Sequence, residues 1–229
     1  MLQAVLLSTL LLLGQVALAA QEDWVVAAKA RSPADISLWT RTVPGAELKA
    51  FRGAMHTDAP MASVVAMLYD ATNMTEWIFR CREAHILGQA ENGDTFVYLK
   101  IEGIWPVGDR DGIIRVHPVL NEATGELVVT GTAEPDHIPP VDGYVRVPAL
   151  ESSWRLTPMP DGLVRIEWTG HVDPAGHVPR WLTNALATWV PRHTLRQMRE
   201  LLDDPRWRAP AVQDKGKALL GNIRSKTTR

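Results

Sequence analysis

From residue 82 to residue 172 the chain reads as strand after strand, with no helical stretch between them. Residues 82–89 and 95–102 flank Glu91-Asn92-Gly93-Asp94. Residues 112–119 and 126–134 meet at Thr124-Gly125, and 144–156 and 163–172 flank Pro160-Asp161-Gly162. Each interruption is made of turn-forming residues. In 95–102, Val97, Leu99 and Ile101 alternate with Tyr98, Lys100 and Glu102. In 163–172, Val164, Ile166 and Trp168 alternate with Arg165, Glu167 and Thr169. A period of two gives each strand one buried face and one wet face. Strands that follow one another through short turns predict an antiparallel meander, not a doubly wound parallel sheet.

The period changes at both ends of this run. From Pro179 to Leu202 it is helical, with Leu182, Leu186, Trp189, Leu195, Met198, Leu201 and Leu202 along one stripe and Arg192, Arg196, Arg199 and Glu200 off it. Pro179 suits the first helical position, and Pro191 predicts a kink or a division. Upstream, residues 24–30 read as a short helix. Residues 36–43 and 47–56 read as a hairpin about Pro44-Gly45, and Pro60 opens a helix through Tyr69 carrying Met61, Val64, Val65 and Leu68 at helical spacing. One α+β domain follows, a curved antiparallel sheet wrapped around a long C-terminal helix. Space along the concave face is filled either by side chains or by a ligand.

Alternation selects the residues that face that space. They are Val97, Leu99 and Ile101, then Ile114 and Val116, Val145 and Val147, and Ile166 and Trp168, with Leu182, Leu186 and Trp189 approaching from the helix. Sequence alone does not separate a packed core from a hollow one. A hollow one suits an apolar ligand, because each buried methylene contributes about 0.8 kcal/mol. A gross upper bound for a sixteen-carbon chain is therefore about 12 kcal/mol. An unpaired buried polar group costs about 1–3 kcal/mol, so an apolar lining with few polar anchors is the effective design.

The N-terminus and the composition set further bounds. Residues 4–20 carry no charge, and Ala17-Leu18-Ala19 precedes polar Gln21-Glu22-Asp23. This predicts residues 1–20 as a signal peptide cleaved near Ala19 or Ala20, and export to a periplasm or the medium. An uncleaved anchor is the alternative, since the run reaches the lower limit for spanning a bilayer. The single cysteine, Cys81, excludes an internal disulfide and a cysteine-rich metal site. A net charge of −2 leaves no global basic field for nucleic acid. The domain is expected over residues 21–204. Residues 205–229 read as a flexible tail with Arg206, Arg208, Lys215, Lys217, Arg224, Lys226 and Arg229.

Several of these residues form a recognisable set. Asp173-Pro174-Ala175-Gly176-His177-Val178-Pro179-Arg180-Trp181-Leu182-Thr183-Asn184 resembles the strand-to-helix junction of START domains, the steroidogenic-acute-regulatory-related lipid-transfer family. Trp105-Pro106 with Arg110-Asp111 resembles the family's Trp-Pro…Arg-Asp element. The Pro44-Gly45 hairpin and the Asp70…Trp77 spacing fall in the matching order. The resemblance covers about residues 24–202. It implies a helix-grip fold, an internal cavity for a lipid or other apolar molecule, no cofactor and transient membrane contact. It also implies a gate between two central strands, which places Ile138, Pro139, Pro140 and Val141, within 135–143, over the ligand. The chain departs from sterol carriers at Val116, where those often have a cavity-facing arginine. Arg115 precedes it and should face the other way.

Two other readings compete. A helix-grip enzyme of the cyclase or hydratase kind would need converging acid–base groups. The strand candidates are His85, Glu102, Arg115, His117, Glu151, Arg155, Glu167 and His171, many of them on the wet face. No nucleophile elbow or glycine-rich phosphate loop appears. Gly108-Asp109-Arg110-Asp111-Gly112 lacks the spacing of a calcium loop, and His171 and His177 read as structural. A membrane-associated module would rest on the basic tail meeting anionic headgroups.

Overall fold

The computed structural model describes residues 24–227, apart from 33, 34 and 177. The predicted signal segment and its cleavage site lie outside the described residues, as does His177. Ten strands form one sheet: β1 (Val25–Ala28), β2 (Ser37–Arg41), β3 (Ala50–Thr57), β4 (Cys81–Gln89), β5 (Thr95–Ile101), β6 (Arg110–Leu120), β7 (Leu127–Ala133), β8 (Val145–Arg146), β9 (Ala149–Pro158) and β10 (Val164–Asp173). Their order is β1-β2-β3-β10-β9-β7-β6-β5-β4, with β8 beside β6. All ladders are antiparallel except β6–β8. The helices are α1 (Met61–Leu68), α2 (Met74–Trp77) after a 3₁₀ turn at Ala71–Asn73, α3 (Arg180–Leu202), α4 (Pro205–Arg208) and α5 (Pro210–Thr227). The curved antiparallel sheet around α3 is the helix-grip fold expected from the meander and its terminal helix. Five of the six expected meander strands and the β2–β3 pair stand where the alternation and turn residues place them.

Three local expectations differ, and a fourth is narrowed. Residues 24–30 contain β1, not a helix: seven residues are too few to nucleate a helix alone, and β2 offers an unpaired edge. The segment 144–156 is not one strand. It breaks at Pro148, which has no N–H for a ladder. β8 then runs parallel to β6, and β9 antiparallel to β7. Of the kink or division expected at Pro191, the division does not occur: α3 continues through the buried proline. The expected flexible tail is helical. Asp204 caps α4 by accepting from the Arg206 N–H at 2.9 Å, with Pro205 in the first turn. α5 turns Val212, Leu219, Leu220 and Ile223 inward toward the core and packs on α1. The approach is close enough that a Cβ on Gly216 would strike the Ala62 backbone.

Four of the tail's cations are paired with acids from other segments. Arg206 meets Glu76, Arg208 meets Asp58 at 2.5 Å, Lys215 meets Asp70 at 3.3 Å and Arg224 meets Glu122 at 3.5 Å. The core proper lies between one end of the sheet, α1 and the second half of α3. It contains Val64, Val65, Met67, Leu127, Leu156, Ile166, Leu195, Met198 and Leu202. The other half of the concave face is not filled.

Candidate functional site

That unfilled half is a cavity of about 350 Å³ between the sheet and the first half of α3. Period two supplies its wall: Val97, Leu99 and Ile101 of β5, Ile114 and Val116 of β6, and Trp168 of β10. Val147 adds to it from the loop after β8. Leu182 and Leu186 face it from α3, joined by Ala187 and Val190, at the i, i+4, i+8 spacing of one helix face. Its floor is aromatic. Trp154 and Trp168 stack with centroids 4.6 Å apart, and Trp77 and Phe51 meet them edge-on at 5.6 and 4.6 Å. The Trp168 indole N–H donates to Ser152 Oγ at 2.9 Å, which satisfies its polar edge.

Three residues expected in the lining lie elsewhere. Ile166 is fully buried below the tryptophan layer, in the packed core. It shares a strand face with Trp168 but not a depth. Trp189 is 41% exposed, because the inward face of α3 passes through Ala187 and Val190. Val145 is also 41% exposed, on the short β8 at the sheet's rim. Phe51, Trp77 and Trp154 were missed. Ser152 and Trp154 carry the same period-two signal on β9, but the assumed single strand hid its phase. Trp77, on a four-residue helix, gave no periodic signal.

The expected gate is also displaced. Ile138, Pro139, Pro140 and Val141 do not border the cavity; Ile138 and Val141 are half-buried. The loop is held on the outer side of the sheet. Arg146 donates to the carbonyls of Pro135 (2.6 Å), Ile138 (3.0 Å) and Pro139 (3.1 Å), and to both oxygens of Asp111 (2.9 and 2.8 Å). Tyr98 Oη donates to the same carboxylate at 3.1 Å, and His137 stacks on Phe96 at 4.0 Å. Asp111 is 1% exposed, so this is a buried, multiply bonded ion pair that fixes the loop.

The mouth is formed instead by Gly103, Ile104 and Val107 of the β5–β6 loop and by Pro174 and Val178 before α3. Arg110 joins the two segments: its guanidinium donates to the carbonyls of Gly108 (2.6 Å), Pro174 (3.2 Å) and Ala175 (3.0 Å). Arg80 donates to the carbonyls of Glu102 (3.0 Å) and Gly103 (2.6 Å), anchoring the loop's root. Trp105 is 88% exposed on one side of this mouth and Trp181 58% exposed on the other.

With the cavity, its helical cover and the Trp105…Asp111 element in place, the family assignment is direct. The START domain family matches residues 6–208. The chain belongs to the START domain family. An uncharacterized protein of Pseudomonas aeruginosa is 32% identical over 178 residues, covering 78% of this chain and 86% of that one. The crystal structure of a STAR-related lipid transfer protein from Xanthomonas axonopodis superposes with a TM-score of 0.71 at 30% identity, covering 79% of this chain and 99% of that one. Human STARD10 has the same fold at a TM-score of 0.71 and 16% identity, covering 87% and 81%.

Charge in this START domain is kept away from the cavity's interior. Arg115 turns outward, as alternation requires. It donates to Asp94 at 2.5 Å, where His117 (2.6 Å) and Asn92 (3.0 Å) also bond. Burial pushes the Asp94 carboxyl up, but the bonds from His117, Asn92 and Arg115 together hold it below the usual carboxylate range. Glu167 pairs with Arg52 and Arg165, Arg155 with Glu126, Glu102 with Arg80 and Arg82, and His85 with Glu83. Glu151 and His171 are cross-strand partners bordering the cavity. Alternation with Leu150, Ser152 and Gly170 turns their side chains to the other face. Among the described residues no cluster of His, Cys, Asp or Glu is arranged to hold a metal ion. No described helix is long and apolar enough to cross a membrane.

Proposed function

We propose that this START domain binds a lipid or similar apolar molecule in the cavity and carries it between membranes, as a binding protein and not as an enzyme. The observation that carries this reading is an apolar-lined hollow of about 350 Å³, floored by stacked tryptophans and lying beside a packed core. The family and the lipid-transfer neighbour support it. Catalysis is disfavoured because His85, Glu102, Arg115, His117, Arg155 and Glu167 bond other charged groups on the outer face or at the rim, and alternation turns Glu151 and His171 away, so among the described residues no acid–base pair converges inside. Membrane contact is assigned to the mouth. Trp105 and Trp181 expose amphipathic rings on its two sides, a chemistry suited to the bilayer interface. The paired cations of α4 and α5 make the tail a poorer candidate. Export by the N-terminal segment would place the carrier in a periplasm or outside the cell. A peptide mass beginning near Gln21 in that fraction would support it.

Native mass spectrometry of the mature protein after exposure to a host lipid extract tests the reading. A bound mass that extracts as lipid is expected. An apoprotein whose thermal unfolding is unchanged by lipid would overturn it. Substituting Trp105 and Trp181 together by Ala should cut vesicle association without changing the fold.

A further inference from the structure

Apart from Glu151 and His171, whose side chains alternation turns to the other face, the charged groups that border the cavity lie at one end. Its wall follows β5 and β6 from the Thr95–Val116 pair to the Ile101–Arg110 pair at the mouth. Arg80, Glu102 and Arg110 surround the β5–β6 loop there. Lys49 belongs to the same end. It shares the cavity side of its strand with Phe51, and Phe51 pairs with Gly170. Two residues further, Lys49 therefore runs alongside the stretch leading to Pro174, whose carbonyl accepts from Arg110. Away from the mouth the lining is chiefly hydrocarbon and aromatic, with the uncharged hydroxyl residues Tyr69, Thr95, Thr130 and Ser152 among it.

These mouth charges do not cancel. Glu102 is taken by Arg80 at 3.1 Å and by Arg82. Asp109 turns its carboxylate to the Gly103 N–H at 2.8 Å. Arg110 meets only neutral carbonyls, and burial pulls its guanidinium below the ordinary value. Lys49 is exposed, and among the described residues it has no carboxylate within ion-pair distance. Lys49 and Arg110 thus face the opening of an apolar cavity with no carboxylate bonded to either among the described residues, although Asp109 adjoins Arg110 in the chain. An uncharged lipid would leave them so. An anionic head would receive charge-assisted hydrogen bonds while its chain is buried.

We propose that the ligand is an anionic amphiphile whose carboxylate or phosphate head sits between Lys49 and Arg110 at the mouth, with its hydrocarbon chain directed toward the Trp154–Trp168 floor. The inference rests on the lipid-binding reading above and narrows it to a head-group charge.

Three probes with one chain length separate the possibilities: palmitate, hexadecyl phosphate and 1-hexadecanol, each titrated calorimetrically into the mature full-length chain. At least one anion is expected to bind about tenfold more tightly than the alcohol. The preference should narrow as salt rises, and Lys49→Glu should bring the ratio to about one. Stronger binding of palmitate assigns a carboxylate head, and stronger binding of hexadecyl phosphate assigns a phosphate head. The proposal is overturned if hexadecanol binds as tightly as both anions, or if the preference survives in Lys49→Glu. Binding of none of the three would instead overturn the lipid-binding reading itself.

Discussion

At Cys81, burial pushes the thiol up to about 11, and its Sγ sits 3.4 Å from the Glu83 carbonyl at the start of edge strand β4. At pH 8 only about one molecule in a thousand then carries the reactive thiolate. Labelling by a disulfide reagent at that pH should be slow in the native protein and complete within minutes in denaturant. Fast native labelling would mean that β4 opens locally. Gly170 is a second residue whose role is decided by distance. A Cβ there would lie 2.6 Å from the Phe51 ring, which is packed edge-on against Trp168. Gly170→Ala must push that ring into the cavity. It is expected to destabilise the fold by about 1–3 kcal/mol, measured by urea unfolding, and to weaken ligand binding with it.

At the level of elements, the β5–β6 loop and the segment before α3 are joined chiefly by Arg110. Arg110→Ala removes all three guanidinium–carbonyl bonds and frees both sides of the mouth. Ligand exchange, followed by stopped-flow fluorescence, should be at least about tenfold faster, because each bond to a charged group contributes about 1.5–3 kcal/mol to the closed arrangement. An unchanged rate would show that the mouth opens elsewhere. The C-terminal pair α4–α5 is an element of a different kind. Truncation after Asp204 uncovers α1 and removes buried Trp207 and Ile223. Loss of two large buried side chains predicts a fall of at least about 4 kcal/mol in unfolding free energy, with dye-binding apolar surface exposed. A truncated chain of native stability would mean that α5 contributes nothing to the core.

Over the whole molecule, one sheet and one helix enclose a packed core at one end and a hollow at the other, with the stacked tryptophans at the boundary. An apolar ligand in the hollow lies against the indoles of Trp77, Trp154 and Trp168, so binding should shift indole emission, and Trp168→Phe should reduce that shift. Emission unchanged by a bound ligand would place it away from the floor. The sequence by itself determined the strand and helix faces: the alternation of Val97, Leu99 and Ile101, the stripe of Leu182 and Leu186, the outward Arg115 and the family are local patterns that survive folding. Only the tertiary structure decided depth, covering and docking. Ile166 and Trp168 share a face, yet one is core and the other cavity wall, because the layer between them is assembled from α2, β9 and β10 together. The loop 135–143 was legible as a loop, but Asp111 and Arg146, 35 residues apart, hold it on the outer face. Arg110 and Pro174, 64 residues apart, close the mouth instead. The tail's composition suggests a solvated terminus, but its apolar residues pack toward α1 and the core, and Arg206, Arg208, Lys215 and Arg224 meet acids from other segments. Periodicity reports which way a side chain points. What stands in front of it is set by parts of the chain that periodicity does not connect.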